Sequence, residues 1–271
     1  MENTEQKTYR RAIVSYVDIL GFKKLVEDSE HAPEKVAQIG ELLQAAKDEL
    51  RFNPPHVVDF SPSDPKTFFA QNFSDLTVRV RFIDNISSAE QAVSELQYLA
   101  GTQMTLMLRN DLLIRGGMCE GDIVASTGVT YGPALVKAYA LESEYAIYPR
   151  IVVDRRLAAA LLDLNDESIT GMLERGDDGA YFIDYLFASV VFDLITDEWR
   201  DAREKIEDHR NFIQREIGDG IHAKPERVKQ KLLWLAFYHN ATLHKLSTHT
   251  RTEHASNRLD GLEIPAASLR F

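Results

Sequence analysis

Residues 12–17 are apolar, with Ser15 the one polar interruption, and show no alternation, the pattern of a strand buried on both faces. Asp18 breaks the run, and Gly21 follows it closely. From residue 22 to about residue 52, Leu25, Val26, Ile39, Leu42, Leu43, Ala46 and Leu50 recur at helical spacing between charges. Pro33 divides this stretch into two helices, because proline suits a first turn and disrupts a helix interior. Residues 53–66 hold Pro54, Pro55, Pro62 and Pro65 and read as a loop. Residues 67–73 and 76–82 are strand-like and flank Ser74 and Asp75, the spacing of a tight hairpin. A helix over residues 88–110 follows. Residues 112–118 and 122–126 then read as a strand pair, with Gly116 and Gly117 marking a close backbone approach. Residues 128–132 turn into a helix over 133–145, with Pro133 in its first turn. A strand at 150–154, a helix at 155–164 and an edge strand at 181–185 complete this part. From about residue 196 the pattern changes to two long helices, 197–217 and 225–246.

The order strand, helices, hairpin, helix, strand pair, helix, strand predicts an α+β fold with a βαββαβ ferredoxin-like core and a helical C-terminal extension. The division expected is residues 1–195 and residues 196–271, the second packed on the core or on a dimer partner. This plan sets the first strand beside the hairpin, so Asp18 and Asp75 become neighbours. A carboxylate at the end of a buried strand is costly unless a cation or several donors compensate it. Gly21 allows a tight turn, and the helix starting near Phe22 aims free N–H groups at the same place. A cation and phosphate site is expected there.

Charge narrows the class. Against 31 Lys and Arg stand 42 Asp and Glu, and the formal charge of -11 argues against a protein bound to nucleic acid through a general basic surface. The single cysteine, Cys119, forms no internal disulfide and no metal cluster, which suits a reducing compartment. With no apolar run of membrane-spanning length and no hydrophobic leader, a cytoplasmic protein is expected.

Tyr16-Val17-Asp18-Ile19-Leu20-Gly21-Phe22 resembles the Phe-x-Asp-Ile-x-Gly-Phe element of class III nucleotidyl cyclases. Phe73-Ser74-Asp75 resembles their hairpin, residues 114–123 their Arg-Ile-Gly-Ile-His-x-Gly strand, and residues 132–143 their Gly-x-x-Val-Asn-x-Ala-x-Arg-Leu-Glu helix. The resemblance implies that Asp18 and Asp75 bridge two Mg²⁺ or Mn²⁺ ions, that the Ile19 carbonyl completes one coordination sphere, and that backbone from Leu20 through Gly21 and Phe22 to Lys23 cradles the β and γ phosphates. It also implies a homodimer with composite sites.

The departures refine this. Where cyclases acting on purines carry their base-reading residues, this chain has Phe69 and Val129, which read no purine edge by hydrogen bonding. The transition-state Asn and Arg of the family fall on Val136 and Ala140. Lys137, Arg115, Arg79 and Arg150 are the remaining cations, with Arg115 and Lys137 the catalytic candidates. Kept aspartates, lost purine determinants, the Arg-Gly-Gly strand and the helical extension together are similar to the pyrimidine cyclases of the Pycsar anti-phage systems, which implies UTP, or next CTP, as substrate. A degenerate cyclase fold that binds nucleotide without turnover and a palm-type nucleotidyl transferase remain alternatives. His239, His244, His249 and His254 recur at intervals of five, which fits no single helix face, and are read as surface or interface residues. Glu120 and Asp122 read as a solvated turn.

Overall fold

The computed structural model describes residues 8–30, 32–51, 67–83, 87–126, 128–196, 198–218, 221–248 and 259–269. Strand β1 (Arg10–Ile19) leads into helices α1 (Phe22–Ser29) and α2 (Pro33–Arg51). The hairpin β2 (Phe68–Phe73) and β3 (Leu76–Phe82), helix α3 (Ser88–Asn110) and the long strand β4 (Ile114–Ser126) follow. Strands β1, β3, β4 and β2 pair antiparallel in the order β2-β3-β1-β4. With helices crossing between β1 and β2 and between β3 and β4, this is the ferredoxin-like βαββαβ plan of an α+β fold. Helix α3 begins in a capping box between Ser87 and Glu90.

After β4 come β5 (Val129–Tyr131), α4 (Pro133–Ala140) with a π-helical turn at Leu141–Tyr145, β6 (Ile151–Val153), α5 (Arg155–Leu162), α6 (Glu167–Gly171), β7 (Leu173–Arg175) and β8 (Tyr181–Ile183). Helices α7 (Tyr185–Ile195), α8 (Trp199–Gly218) and α9 (Glu226–Thr248) make the C-terminal part helical.

Strand side chains alternate between faces, and the two faces of this sheet are unequal. Ile13, Val17 and Ile19 enter one large apolar cluster with α3, α7, α8 and α9, through residues such as Leu99, Phe187, Ile213 and Leu235. Ala12 and Val14 enter a smaller one with Val78, Val80, Cys119, Ala134 and Ala138, roofed by α4. Asp18 lies on this second, thinly covered face.

The structure corrects several sequence expectations. Residues 112–126 are one continuous strand from Ile114, not a pair, and no turn exists at Glu120 and Asp122. Gly121 is small because it lies under α4: a Cβ there would stand 3.1 Å from that of Ala134. Val129 belongs to β5, which folds back on β4. The strand at 181–185 ends at Ile183, and β7 lies outside it as the edge. Tyr185 instead opens α7, an apolar run capped by Asp184, whose side chain accepts from the Phe187 N–H at 3.1 Å. The loop expected at residues 53–66 lies outside the described residues.

His239 is not a surface residue. It is fully buried, its Nδ1 lies 2.9 Å from Nδ1 of His209, and its Nε2 lies 2.9 Å from the Leu262 carbonyl. That carbonyl only accepts, so His239 donates from Nε2 and accepts at Nδ1 from His209 Nδ1–H. His209 Nε2 then accepts from the Tyr185 hydroxyl at 2.8 Å. His244 is exposed as expected, and His249 and His254 fall outside the described residues.

Candidate functional site

Antiparallel register sets Leu76 opposite Asp18 on one side and Arg115 opposite it on the other. Opposed residues project to the same face, and Arg115 Nε donates to Asp18 Oδ2 at 3.1 Å. The hairpin turn is closed by Ser74 in a left-handed conformation, φ 55°. The Asp75 carbonyl accepts from the Ile19 N–H at 3.3 Å, which pins the turn to the end of β1. Burial raises the Asp18 pKa above its ordinary range; the Arg115 pair pulls it down, and the adjacent Asp75 carboxyl pushes it up again.

A third carboxylate completes the cluster. Arg115 Nη2 pairs with Glu142 Oε1 at 2.6 Å, and Nη1 donates to the Ala146 carbonyl at 3.5 Å. Glu142 belongs to the π turn and Ala146 caps it, its N–H donating at 3.2 Å to the Leu141 and Glu142 carbonyls. Such turns are enriched at functional sites. Burial raises the Glu142 pKa, with Arg115 opposing. Gly117 allows the arrangement: a Cβ there would lie 2.2 Å from the Ala138 carbonyl oxygen and 2.6 Å from the Leu141 Cβ. Tyr16, two residues before Asp18 on the same face, meets Tyr139 edge-on at 5.4 Å, and burial with the nearby Glu142 and Asp18 pushes its hydroxyl up to about 12.

Beside the carboxylates, Gly21 adopts φ 85° and caps α1, a conformation that favours glycine. Its carbonyl accepts from the Lys24 and Leu25 N–H groups at 3.0 and 3.2 Å, and the Leu20 N–H donates to Leu113 at 2.8 Å. The N–H groups of Phe22 and Lys23 in the first turn have no intrahelical acceptor. The Lys23 side chain is exposed and pairs with Glu27 at 3.6 Å.

The other sequence candidates are placed as follows. Phe69 is half-buried against the smaller apolar cluster, and Val129 is partly exposed on β5. Lys137 pairs with Asp154 at 2.7 Å, beside the Met118 end of β6 and away from Asp18. Arg79 is excluded from the site by alternation. It lies on the opposite face, fully buried against Glu95, whose carboxyl burial alone would raise but which Arg79 and Arg81 hold down at about 2. Arg150 is engaged by Asp178 and by the Tyr145 carbonyl. Glu142 and Tyr16 were missed in sequence, although both lie within the quoted motifs; what pairs Glu142 with Arg115 is the π turn, which no residue pattern announces. Lys231 of α9 was missed too. It is half-buried, and burial together with Arg115 and Arg227 lowers its pKa while Asp18 opposes.

Asp18 and Asp75 are hard oxygen donors crowded together in a partly buried place, which favours a cation. Among the described residues no group of three or more His, Cys, Asp or Glu is arranged to hold a metal ion. Two carboxylates and a backbone carbonyl, with water and phosphate oxygens filling the other positions, are nonetheless a donor set that Mg²⁺ and Mn²⁺ accept. The residues present fit such an ion.

No family model and no curated protein matches the chain. Among solved structures it is similar to the adenylyl cyclase CyaB from P. aeruginosa, at 14% identity over 65% of this chain and 94% of that one, TM-score 0.45. It is also similar to the guanylyl cyclase Cya2, at 15% identity over 57% and 79%, TM-score 0.40. A class III adenylyl cyclase-like ATP-binding protein from Pseudomonas aeruginosa gives 14% identity over 67% and 40%, TM-score 0.44. What this chain does is therefore carried by its own side chains. Among the described residues no helix is long and apolar enough to cross a membrane.

Proposed function

We propose that the chain is a class III nucleotidyl cyclase that converts UTP to 3′,5′-cyclic UMP and pyrophosphate, a second-messenger synthesis in anti-phage defence. The observation that carries this reading is the Asp18 and Asp75 pair at the end of β1, flanked by the Gly21 turn and faced by Arg115. In the reaction the 3′ oxygen forms a bond to the α-phosphorus, the bond from that phosphorus to the pyrophosphate oxygen breaks, and the hydroxyl proton leaves to solvent. Two Mg²⁺ or Mn²⁺ ions, when bound, supply a lowered pKa for the attacking hydroxyl and charge neutralisation. Asp18 and Asp75 would hold them with the Ile19 carbonyl, and the backbone of Leu20, Gly21, Phe22 and Lys23 would receive the β and γ phosphates. Arg115, which faces Asp18, is the side chain placed to neutralise developing charge.

The choice of base is supported by a polar pair beside Phe69 and Val129. The Thr130 hydroxyl donates to Gln71 Oε1 at 2.7 Å, and Gln71 shares a strand face with Phe69. With its oxygen engaged, the Gln71 amide offers its NH₂, a donor that suits the uracil O4 carbonyl better than the cytosine amino group. A homodimer is supported by α4, which exposes Val136 at 68% and Tyr139 at 51%. Composite sites would let each Lys137 act in the other copy.

Mass analysis of products after incubation with ATP, GTP, CTP and UTP and Mn²⁺ tests this reading, and cyclic UMP should dominate. Cyclic CMP would transfer the reading to CTP. The second reading, nucleotide binding without turnover, is favoured by Val136 and Ala140, which have no group to serve a transition state; it gives UTP-dependent thermal stabilisation and no product.

A further inference from the structure

Among the described residues, the cations named so far at the site are already paired. Arg115 is shared between Asp18 and Glu142, Lys137 is paired with Asp154, and Arg150 with Asp178. The two cations of the reading above would face Asp18 and Asp75, and the polyphosphate oxygens turned away from them are best met by a further positive side chain.

Helix α9 brings one. Trp234 stacks on Tyr148 with ring centroids 5.3 Å apart and planes 4° apart, and meets Phe182 edge-on at 5.7 Å. Tyr148 lies two residues beyond Ala146, whose carbonyl accepts from Arg115. Lys231 precedes Trp234 by three residues and so projects from the same side of α9. The stack fixes this side of α9 against Tyr148, next in the chain to the turn whose Ala146 carbonyl receives Arg115. Arg227 stands one turn earlier, at i−4, exposed. Lys231 lies within electrostatic reach of Arg115, Arg227 and Asp18, yet it makes no hydrogen bond or ion pair with any described residue. A half-buried amine beside two like charges, with its one opposite charge, Asp18, already paired to Arg115, is held at a cost that an incoming polyanion relieves.

We propose that Lys231, assisted by Arg227, is the anion-binding arm of the site and seats the polyphosphate chain of the substrate opposite Asp18 and Asp75, an assignment that rests on the triphosphate reading of that pair. A helix of the C-terminal extension then contributes directly to substrate binding.

Inorganic tripolyphosphate serves as the probe, titrated calorimetrically into the full chain in Mg²⁺ buffer, with melting curves to establish folding. Lys231→Gln should weaken binding about 10- to 100-fold, the range for a lost charge-assisted contact, Lys231→Arg should restore most of it, and Arg227→Gln should give a smaller loss. Arg200→Gln, an exposed charge on α8, should change nothing. Should Lys231→Gln fail to fold, Arg227→Gln provides the same comparison against Arg200→Gln. No tripolyphosphate binding by the wild-type chain, or equal binding by Lys231→Gln, overturns the proposal. Binding that depends on Lys231 in a chain that cyclises no nucleotide sustains it and removes the cyclase reading. Cyclisation of UTP with unchanged KM and tripolyphosphate affinity in Lys231→Gln sustains the cyclase reading and removes this one.

Discussion

Arg115 sits between Asp18 and Glu142 at 3.1 and 2.6 Å, so its guanidinium does at the site what a bound cation would do. Removing it leaves partly buried carboxylates facing one another, and Arg115→Gln should lower the stability of the metal-free protein by about 1.5–3 kcal/mol in a urea titration. The same variant should bind Mn²⁺ more tightly than wild type, read by calorimetry, because the ion no longer displaces a guanidinium. Unchanged stability together with unchanged Mn²⁺ affinity would show that the pair carries no such weight. At this scale the sequence was partly informative. Asp18 and Arg115 carry a polar group where strand pattern expects none, an anomaly visible in one dimension, whereas Asp75 is an ordinary turn residue that only its pairing with Asp18 singles out. Glu142 and Lys231 lie in helical stretches where charge is ordinary, and only the way α4 and α9 pack makes them part of the site.

At the scale of elements, the close contact of β4 with α4 is the most demanding feature. A methyl group on Gly117 meets backbone at 2.2 Å, whereas one on Gly121 meets only the Ala134 side chain at 3.1 Å. Gly117→Ala should therefore destabilise by about 1–3 kcal/mol or more and reduce turnover by displacing the π turn that holds Glu142. Gly121→Ala should cost less, and thermal melts of both variants check the order. The hairpin, α3 and the two long C-terminal helices were legible because periodicity and turn residues suffice for them. The length of β4 was not, since its glycines answer to a helix packed above them. Helix α7 was also hidden: an apolar run of that length has no polar face to reveal its period.

Over the whole molecule, the apolar cluster running from β1 to α9 ties the C-terminal helices to the sheet that carries the site. A buried polar chain from Tyr185 through His209 and His239 to the Leu262 carbonyl lies within it. Burial lowers the His239 pKa to about 4, and burial together with His239 lowers that of His209. A histidine depressed in the folded state charges first in the unfolded chain, so its contribution is complete above pH 6.5 and is lost as pH falls from there to about 4. For His239 alone this amounts to about 3 kcal/mol. Glu95, held at about 2 in the fold, contributes a separate loss below its ordinary value. Urea titrations across pH should resolve the two windows, and His239→Gln should flatten the upper one while leaving the lower; an unaltered upper slope would contradict the buried neutral pair. The ferredoxin-like plan was legible from element order alone, but nothing in that order tells where α9 docks. The most direct test of the central claim is turnover of UTP with Mn²⁺ by the wild-type chain, Asp18→Asn and Asp75→Asn, each shown to be folded. Formation of a cyclic product by wild type and a loss of at least about 100-fold in each variant is the expected result, and full turnover in both variants would contradict it.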